Sequence, residues 1–592
     1  MNKREMMLAG GLALALMAAL IPFARMGVDF HHDGIMLKPA LDVLSGQVLF
    51  RDTFMQYGAL TCYIHALALW FSPTLWCLKL VTVGAYGVTL YFLYASWRFI
   101  LPISLSVVSC ALYFLFIPCY EINLFHEYWT FLVWSSALAL MFQSIGLYAL
   151  LRIVRGTGGI GWTIILGMSA AAIYWCRQPV GLIMFFCLGG TAVGLSLVGW
   201  QSGQLSKKAI LVNFLIGVLI VSAPILLSIS LRHAVDEWIY QNYLWPKKWA
   251  QTNSLRRIGE MNQALGGPFI LRLYAGLKLG VLLIALLAPS LWKVFGPAWS
   301  KRALLCYFVG LGSFLIWRHA LVLNTLNFRD GGWVLLLVAL VIGQALTSIA
   351  RAITRKPPAA GMEFCTVSAL GAIAAGSLAQ FYPLADPWHV AWSLAPSFGL
   401  CVYLLWRLVD RNVPVVLAIF SLSFLPSYAT KIRSAKQFLV QPSVGLSSPG
   451  VLRGMRVPSA QADTLIRMSA IVSRIENYRP NIPSLMMGND AIFLCLTKNL
   501  TNPSAYFVTW PNLAPDAKTE ERARASYIAK FRPMMIFSKV DWAATNDFYR
   551  RSAYVPIVYF PAEMMEIAIP SELAKIMGVS AYGADRWGRT VK

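Results

Sequence analysis

Charge is scarce in this chain. Of its 592 residues only 13% are Asp, Glu, Lys or Arg, and the acids number 26 against 50 Lys and Arg. With 58% hydrophobic residues and a mean hydropathy of +0.61, this composition excludes an ordinary water-soluble globular protein. A disulfide framework is also missing. Of the ten cysteines only Cys495 lies beyond residue 431, and the rest sit in or beside apolar runs, where cysteine is mostly a small packing residue. No repeat of fixed period occurs, which excludes solenoids and propellers. The net charge of +24 does not point to nucleic acid, because the basic residues are set between long apolar segments.

Those segments are what the chain has in abundance. A membrane span needs roughly 20 apolar residues, because the bilayer offers backbone groups no partners. About thirteen such stretches stand out by window hydropathy, near 6–27, 76–97, 101–120, 128–151, 160–176, 179–200, 209–231, 269–292, 303–322, 331–350, 361–380, 388–408 and 413–430. The segment 59–72 is apolar but short, and reads as an interfacial or re-entrant piece. The first span is flanked by Lys3 and Arg4 like a signal peptide. It is of full span length without a small-x-small cleavage site, so it reads as an anchor. Basic residues fall in alternate loops: Arg98, Arg152 with Arg155, Lys207 with Lys208, Lys293 with Lys301 and Arg302, Arg351 with Arg355 and Lys356, and Arg407 with Arg411. The positive-inside rule makes that side cytoplasmic. It puts 28–75, 121–127, 177–178, 232–268, 318–330, 381–387 and everything after 431 outside, in what would be a bacterial inner membrane facing the periplasm.

Two parts are expected. Residues 1–430 form an all-α polytopic membrane domain, and residues 431–592 a small α/β periplasmic domain. The junction is basic and then rich in Gly, Ser and Pro, as linkers are. Beyond it, Ala460–Tyr478 reads as an amphipathic helix, with strands at 483–487, near MMIFSKV, at 553–560 and at 565–569. Helices are expected over 491–500 and 520–531, and the last dozen residues look frayed.

The outer loops collect the ionisable residues. The first holds Asp29, His31, His32, Asp33, Lys38, Asp42, Arg51 and Asp52; the second runs Glu121-Ile122-Asn123-Leu124-Phe125-His126-Glu127-Tyr128. Cys176-Arg177-Gln178-Pro179-Val180-Gly181 turns between two helices, and Trp245-Pro246-Lys247-Lys248-Trp249 is basic and aromatic. Further on come Trp317-Arg318-His319 and Asp386-Pro387-Trp388-His389. Carboxylates facing cations at one interface suit a simple chemistry. A carboxylate takes a proton from an acceptor hydroxyl or amine, while Arg and Lys hold a phosphate leaving group. The adjacent histidines suggest zinc only weakly, since no third ligand is suitably spaced. Lys247 to Arg257 also reads as an interfacial belt.

The pattern DG-x(5)-A-x(5)-G-x(2)-LFRD-x(4)-YGAL, from Asp33 to Leu60, resembles the first outer loop of the GT-C superfamily. These multi-span glycosyltransferases use polyprenyl-phosphate sugars and include protein O-mannosyltransferases and aminoarabinose-to-lipid A transferases. CRQPVG at 176–181 and YPLADPWHVAWSLAP at 382–396 are similar to bacterial members. The resemblance touches the whole membrane region in layout but only three short segments in motif. It departs where many relatives carry paired acids after the first span, since here Asp33 is followed by Gly34.

The resemblance implies Asp33 as general base, with Asp52 and Glu127 orienting it or holding acceptor or metal. It implies Arg177, Gln178, Lys247 and Lys248 at the donor phosphate with Arg318 behind them, and Asp386 and His389 bordering the lipid entrance. The donor would be a polyprenyl-phosphate sugar, the acceptor a glycan, lipid or protein, and the transfer inverting. No cofactor is fixed, and a divalent metal stays open. Two other readings differ in what they require. An O-antigen ligase or polymerase would carry its long loop mid-chain and lack the terminal domain. A transporter or flippase would place ionisable groups near the bilayer midplane.

Overall fold

The computed structural model describes residues 2–117, 119, 121–122, 129–197, 207–247, 362–381, 387–478, 484–487, 490–496, 535–539, 553–560 and 565–579. The first helices are α1 (Lys3–Ala24), α2 (His32–Leu44), α3 (Ala59–Phe71), α4 (Leu75–Trp97) and α5 (Ile103–Phe116). A short hairpin of β1 (Glu121–Ile122) and β2 (Trp129–Thr130) leads to α6 (Ser135–Val154), α7 (Ile160–Cys176), α8 (Gln178–Leu197), α9 (Lys207–Leu231) and α10 (Val235–Ile239). A π-helical turn, Tyr240–Leu244, follows directly. Then come α11 (Met362–Ser377), a 3-10 turn at Leu378–Phe381, α12 (Pro387–Leu394), α13 (Ser397–Leu408) and α14 (Val413–Val440).

Among the described residues α1, α4, α6 and α9 are long and apolar enough to cross a bilayer, and α3, α5 and α7 are shorter apolar helices. The expected spans at 269–292, 303–322 and 331–350 lie outside the described residues. An Asn2–Glu5 capping box starts α1, and the Asn412 side chain caps α14, each satisfying a first-turn amide. Basic loop ends pack together at one end of these helices: Arg98 after α4 pairs with Glu5 of α1 at 2.5 Å, and the Arg155 guanidinium donates to the Phe99 carbonyl.

At the opposite end the chain after α14 is laid onto the segment following α1. The Gly27 amide donates to the Arg456 carbonyl at 2.7 Å, and the Arg456 amide to the Arg25 carbonyl at 2.8 Å. The α14 helix runs through the expected boundary at 430 to Val440, continuing past Pro426 and ending just before Pro442. Lys431 donates to the carbonyls of Phe114, Leu115 and Ile117 at 2.6–2.8 Å, closing the end of α5. A two-stranded ladder of β3 (Val444–Gly445) and β4 (Arg456–Val457) precedes α15 (Ser459–Tyr478). The α15 helix buries Leu465, Met468, Val472 and Ile475, an i, i+3, i+4 stripe.

The C-terminal sheet has the order β5 (Ser484–Met487), β6 (Met535–Lys539), β8 (Met565–Pro570), β7 (Tyr554–Phe560). Its β5–β6 pair is parallel and the others antiparallel. A last short helix, α16, spans Ser571–Ile576. These strands fall where the alternation predicts them. The expected helix over 491–500 is a 3-10 turn, Ala491–Leu496, and 520–531 lies outside the described residues.

Candidate active site

The first outer stretch is not an open loop, since α2 begins at His32 and contains Asp33 in its first turn. The sequence hides this helix behind Pro39, which lacks an amide to give the preceding turn. Its register is supported by the buried Lys38–Asp42 ion pair, one turn apart, with Thr53 donating to the other Asp42 oxygen at 2.6 Å. Burial raises the Asp42 carboxyl above its ordinary range in spite of Lys38.

Asp33 is wholly buried. One carboxylate oxygen is 3.0 Å from the Lys79 ammonium and accepts the Asp29 amide at 2.9 Å. The other oxygen has no hydrogen-bond partner among the described residues. Burial raises this carboxyl above the usual aspartate range, against the opposing pull of Lys79. Lys79 enters from α4 and also donates to the Gly27 carbonyl at 2.9 Å. Asp29 is buried too, yet its carboxyl is held well below the usual range. Desolvation opposes its charge, but His32, with Nδ1 at 3.1 Å, and His31 outweigh that penalty.

Above the acids runs a file of rings. His32 lies 4.7 Å from Trp134, Tyr57 5.3 Å from Trp134, Trp134 6.4 Å from Trp392, and Trp392 5.2 Å from His389. The Trp392 indole donates to the Tyr86 hydroxyl at 2.9 Å. Two residues after Trp134, Ser136 accepts from the buried Arg177 guanidinium. The amide of Gly58, next to Tyr57, donates to the Cys176 carbonyl at 3.1 Å. A Cβ at Gly58 would overlap the Trp175 carbonyl, so the turn closes against α7 only because the residue has no side chain. Segments 29–33, 57–58, 79, 134–136, 176–178 and 389–392 thus converge at one end of the helices.

The π-helical turn fastens this end. Gln241 accepts the Met55 amide at 2.9 Å and donates to the Phe50 carbonyl at 2.6 Å, while Asn242 accepts from Gln178. Phe50 is buried with φ of 70°, a left-handed backbone that a bulky residue holds only when its surroundings impose it. Asp52, in the same turn, pairs with Arg51 at 2.9 Å and accepts the Val48 amide at 2.8 Å. The Arg51 hydrogen bond holds the Asp52 carboxyl below its ordinary range, and no hydrogen bond or ion pair joins Asp52 to Asp33.

Above α2 sits the turn Ala491–Leu496. The Ile492 amide donates to the Phe30 carbonyl at 3.1 Å, and the Phe493 and Phe30 rings lie 4.9 Å apart. A Cβ at Gly34 would overlap the Ile492 backbone, so the C-terminal part roofs the acid by backbone-to-backbone approach.

The structure therefore gathers Asp33, Arg177, Gln178 and His389 at one end. It leaves Asp52 in its own ion pair and Lys247 exposed just after the π-helical turn. Glu127, Lys248, Arg318 and Asp386 lie outside the described residues. Among the described residues no group of three or more His, Cys, Asp or Glu is arranged to hold a metal ion. Lys79 was legible in principle, as the lone charge in the apolar helix LWCLKLVTVGAYGVTLYFLYASW, which calls for a partner. Trp392 was legible only as part of the 382–396 segment, and Trp134, Gln241 and the 491–496 roof carried no local signal.

No protein-family model and no curated protein matches the chain. Among solved structures it is similar to the oligosaccharyltransferase of Archaeoglobus fulgidus in complex with Zn and sulfate. That likeness has a TM-score of 0.47 at 13% identity, covering 96% of this chain and 73% of that one. It is similar to ArnT from Cupriavidus metallidurans bound to undecaprenyl phosphate, at 0.40 and 13%, covering 95% and 97%. It is also similar to the archaeal oligosaccharyltransferase AglB from Archaeoglobus fulgidus in complex with an inhibitory peptide and a dolichol-phosphate, at 0.44 and 14%, covering 95% and 74%. At TM-scores below 0.5 these likenesses do not by themselves assign a function.

Proposed function

We propose that the chain is a membrane glycosyltransferase that moves a sugar from a polyprenyl-phosphate donor to an acceptor hydroxyl or amine at the outer face of a bacterial inner membrane. One observation carries the reading: Asp33 has one oxygen held by Lys79 and the Asp29 amide, and the other without a hydrogen-bond partner among the described residues. That is the geometry of a general base. The held oxygen keeps the carboxyl in place, and the second accepts the acceptor's proton as its oxygen or nitrogen attacks the sugar carbon. The bond to the donor phosphate breaks as the new bond forms, and Arg177 is the cation assigned to the departing phosphate. Desolvation fits this role, since raising the carboxyl towards neutral strengthens it as a base. His32, Trp134 and Tyr57 wall the site from water, with Gln178 holding the turn beside it. Asp52, Glu127, Lys247, Lys248, Arg318, Asp386 and His389 are proposed to support acceptor, donor or lipid tail.

The test uses full-length protein in lipid with radiolabelled undecaprenyl-phosphate sugars, wild type against Asp33→Asn. Sugar release by transfer or slow hydrolysis is expected to fall by roughly 10² to 10⁴ in the variant. Unchanged release from a folded variant sinks the assignment.

A further inference from the structure

From Arg411 to Ala462 the chain has no acidic residue, yet beyond the apolar part of α14 it carries Lys431, Arg433, Lys436, Arg453 and Arg456. Lys431 is engaged by the carbonyls at the end of α5. The other four are exposed, and the fold brings a further exposed cation, Arg25, to them. The Arg25 guanidinium donates to the Gly454 carbonyl at 2.8 Å and lies 6.0 Å from the Trp76 ring. The Arg456 guanidinium donates to the Ser443 hydroxyl and carbonyl, each at 3.2 Å. Phe438 of α14 stacks on Phe23 of α1 at 5.8 Å, which sets the two helix ends side by side. Among the described residues Arg25, Arg433, Lys436, Arg453 and Arg456 make no ion pair, and the next acid along the chain, Asp463, pairs with Arg467 at 3.6 Å.

Depth decides what such a cluster meets. Residues 413–430 of α14 carry no charge. At 1.5 Å per residue they extend about 27 Å, close to the roughly 30 Å of a hydrocarbon core. Arg433 and Lys436 follow within the next two turns, at the level of lipid head groups. Exposed apolar side chains are set among the cations: Ile432 at 64%, Val440 at 69% and Val444 at 41%. Ile21, 41% exposed, stands one turn before Arg25 at the end of α1. A polyanion in water would meet the cations and leave these side chains wet. Basic and apolar groups interleaved at one level suit a bilayer surface, where acyl chains cover the apolar groups and head groups meet the cations. The cations also lie at the helix end that holds Asp33. The positive-inside pattern collects basic residues at the other end, so it does not account for them.

We propose that Arg25, Arg433, Lys436, Arg453 and Arg456 form a basic collar that docks the start of the C-terminal part onto anionic phospholipid head groups on the Asp33 side of the membrane. The proposal does not rest on the transferase reading. Each cation near such a surface adds about a fivefold preference at low salt, and a guanidinium can take two phosphate oxygens at once. The ladder at Gly27 and Arg456 joins the collar to the segment leading to Asp29, so the head groups add a second tie between the C-terminal part and the membrane part.

Amide exchange reads this docking locally. Full-length protein is placed in phosphatidylcholine nanodiscs with increasing fractions of phosphatidylglycerol, and exchange is followed at residues 432–457. Exchange there is expected to slow as phosphatidylglycerol rises, and about 0.5 M salt should remove the effect by screening. The Arg433, Lys436 and Arg453 side chains make no hydrogen bond among the described residues, so replacing them removes charge alone. Arg453→Gln should raise the phosphatidylglycerol fraction needed for half the slowing about fivefold, while Arg453→Lys, which keeps the charge, should leave it in place. With Arg433→Gln and Lys436→Gln added, the slowing should vanish. Exchange indifferent to phosphatidylglycerol in the wild type overturns the proposal, as does a response unchanged in the triple variant. Slowing by dextran sulfate in pure phosphatidylcholine nanodiscs, with none by phosphatidylglycerol, makes the partner a soluble polyanion and also overturns it. Should the triple variant fail to fold, an unshifted response in Arg453→Gln overturns it.

Discussion

Lys79 is a cation in an apolar helix, and it forms an ion pair with Asp33 at 3.0 Å. Removing one member of a buried pair leaves the other desolvated and unmatched, which costs about 3–5 kcal/mol. Lys79→Met is therefore expected to lower the melting temperature markedly, and the double variant with Asp33→Asn to recover most of the loss; equal melting for single and double variants contradicts the pairing. The same pair sets a pH dependence. A base works only when deprotonated, so turnover should rise with pH as Asp33 loses its proton. Burial raises that carboxyl, so the midpoint should lie above the ordinary aspartate value of about 3.9. Lys79 pulls it down, so in any Lys79→Met protein that folds the midpoint should move higher still. A profile unchanged by that substitution speaks against Asp33 as the titrating group.

Two elements do more than their lengths suggest. The π-helical turn places Gln241 and Asn242 on adjacent positions, one tied to the turn at 50–55 and the other to the α7–α8 turn. π-Turns are uncommon and recur at functional sites because they re-aim side chains. Gln241→Ala strands the Met55 amide and the Phe50 carbonyl, at about 1–3 kcal/mol for each buried group. It should reduce both melting temperature and turnover, and restored turnover in Gln241→Glu is not expected, since a carboxylate cannot donate to the Phe50 carbonyl. The other element is the Ala491–Leu496 turn over α2. Gly34→Ala pushes a methyl into the Ile492 backbone, so the turn must lift. Faster hydrogen exchange at 490–496 together with lost turnover is the expected result; unaltered exchange would mean the contact has slack.

On the scale of the whole molecule, the C-terminal part is joined to the membrane part by main chain as well as by a linker. The ladder at Gly27 and Arg456 and the Ile492–Phe30 bond leave Asp33 covered. A chain ending at residue 440 keeps Lys431 on the end of α5 and should still insert, but it uncovers Asp33 and should lose transfer. Full activity from that truncation would make the roof dispensable. Much of this was legible in the sequence. Long apolar runs, alternate basic loops and the alternating strands after residue 480 are local patterns, decided by what bilayer and water do to a side chain within a few residues of its neighbours. The motif glycines Gly34 and Gly58 were legible as positions, though not their reason, which is the backbone of Ile492 and of Trp175. The α2 helix was not legible, because Pro39 and a polar stretch obscure a helix that tertiary contacts hold. The sequence alone therefore determined that the chain carries many apolar runs of membrane-span length, with ionisable residues gathered in the segments between them. Only the tertiary structure decided that Asp33 is buried on Lys79 rather than solvated in a loop, and that Trp134, Arg177 and His389 stand near it. Contacts between residues hundreds of positions apart depend on packing geometry, which no local pattern of residues records.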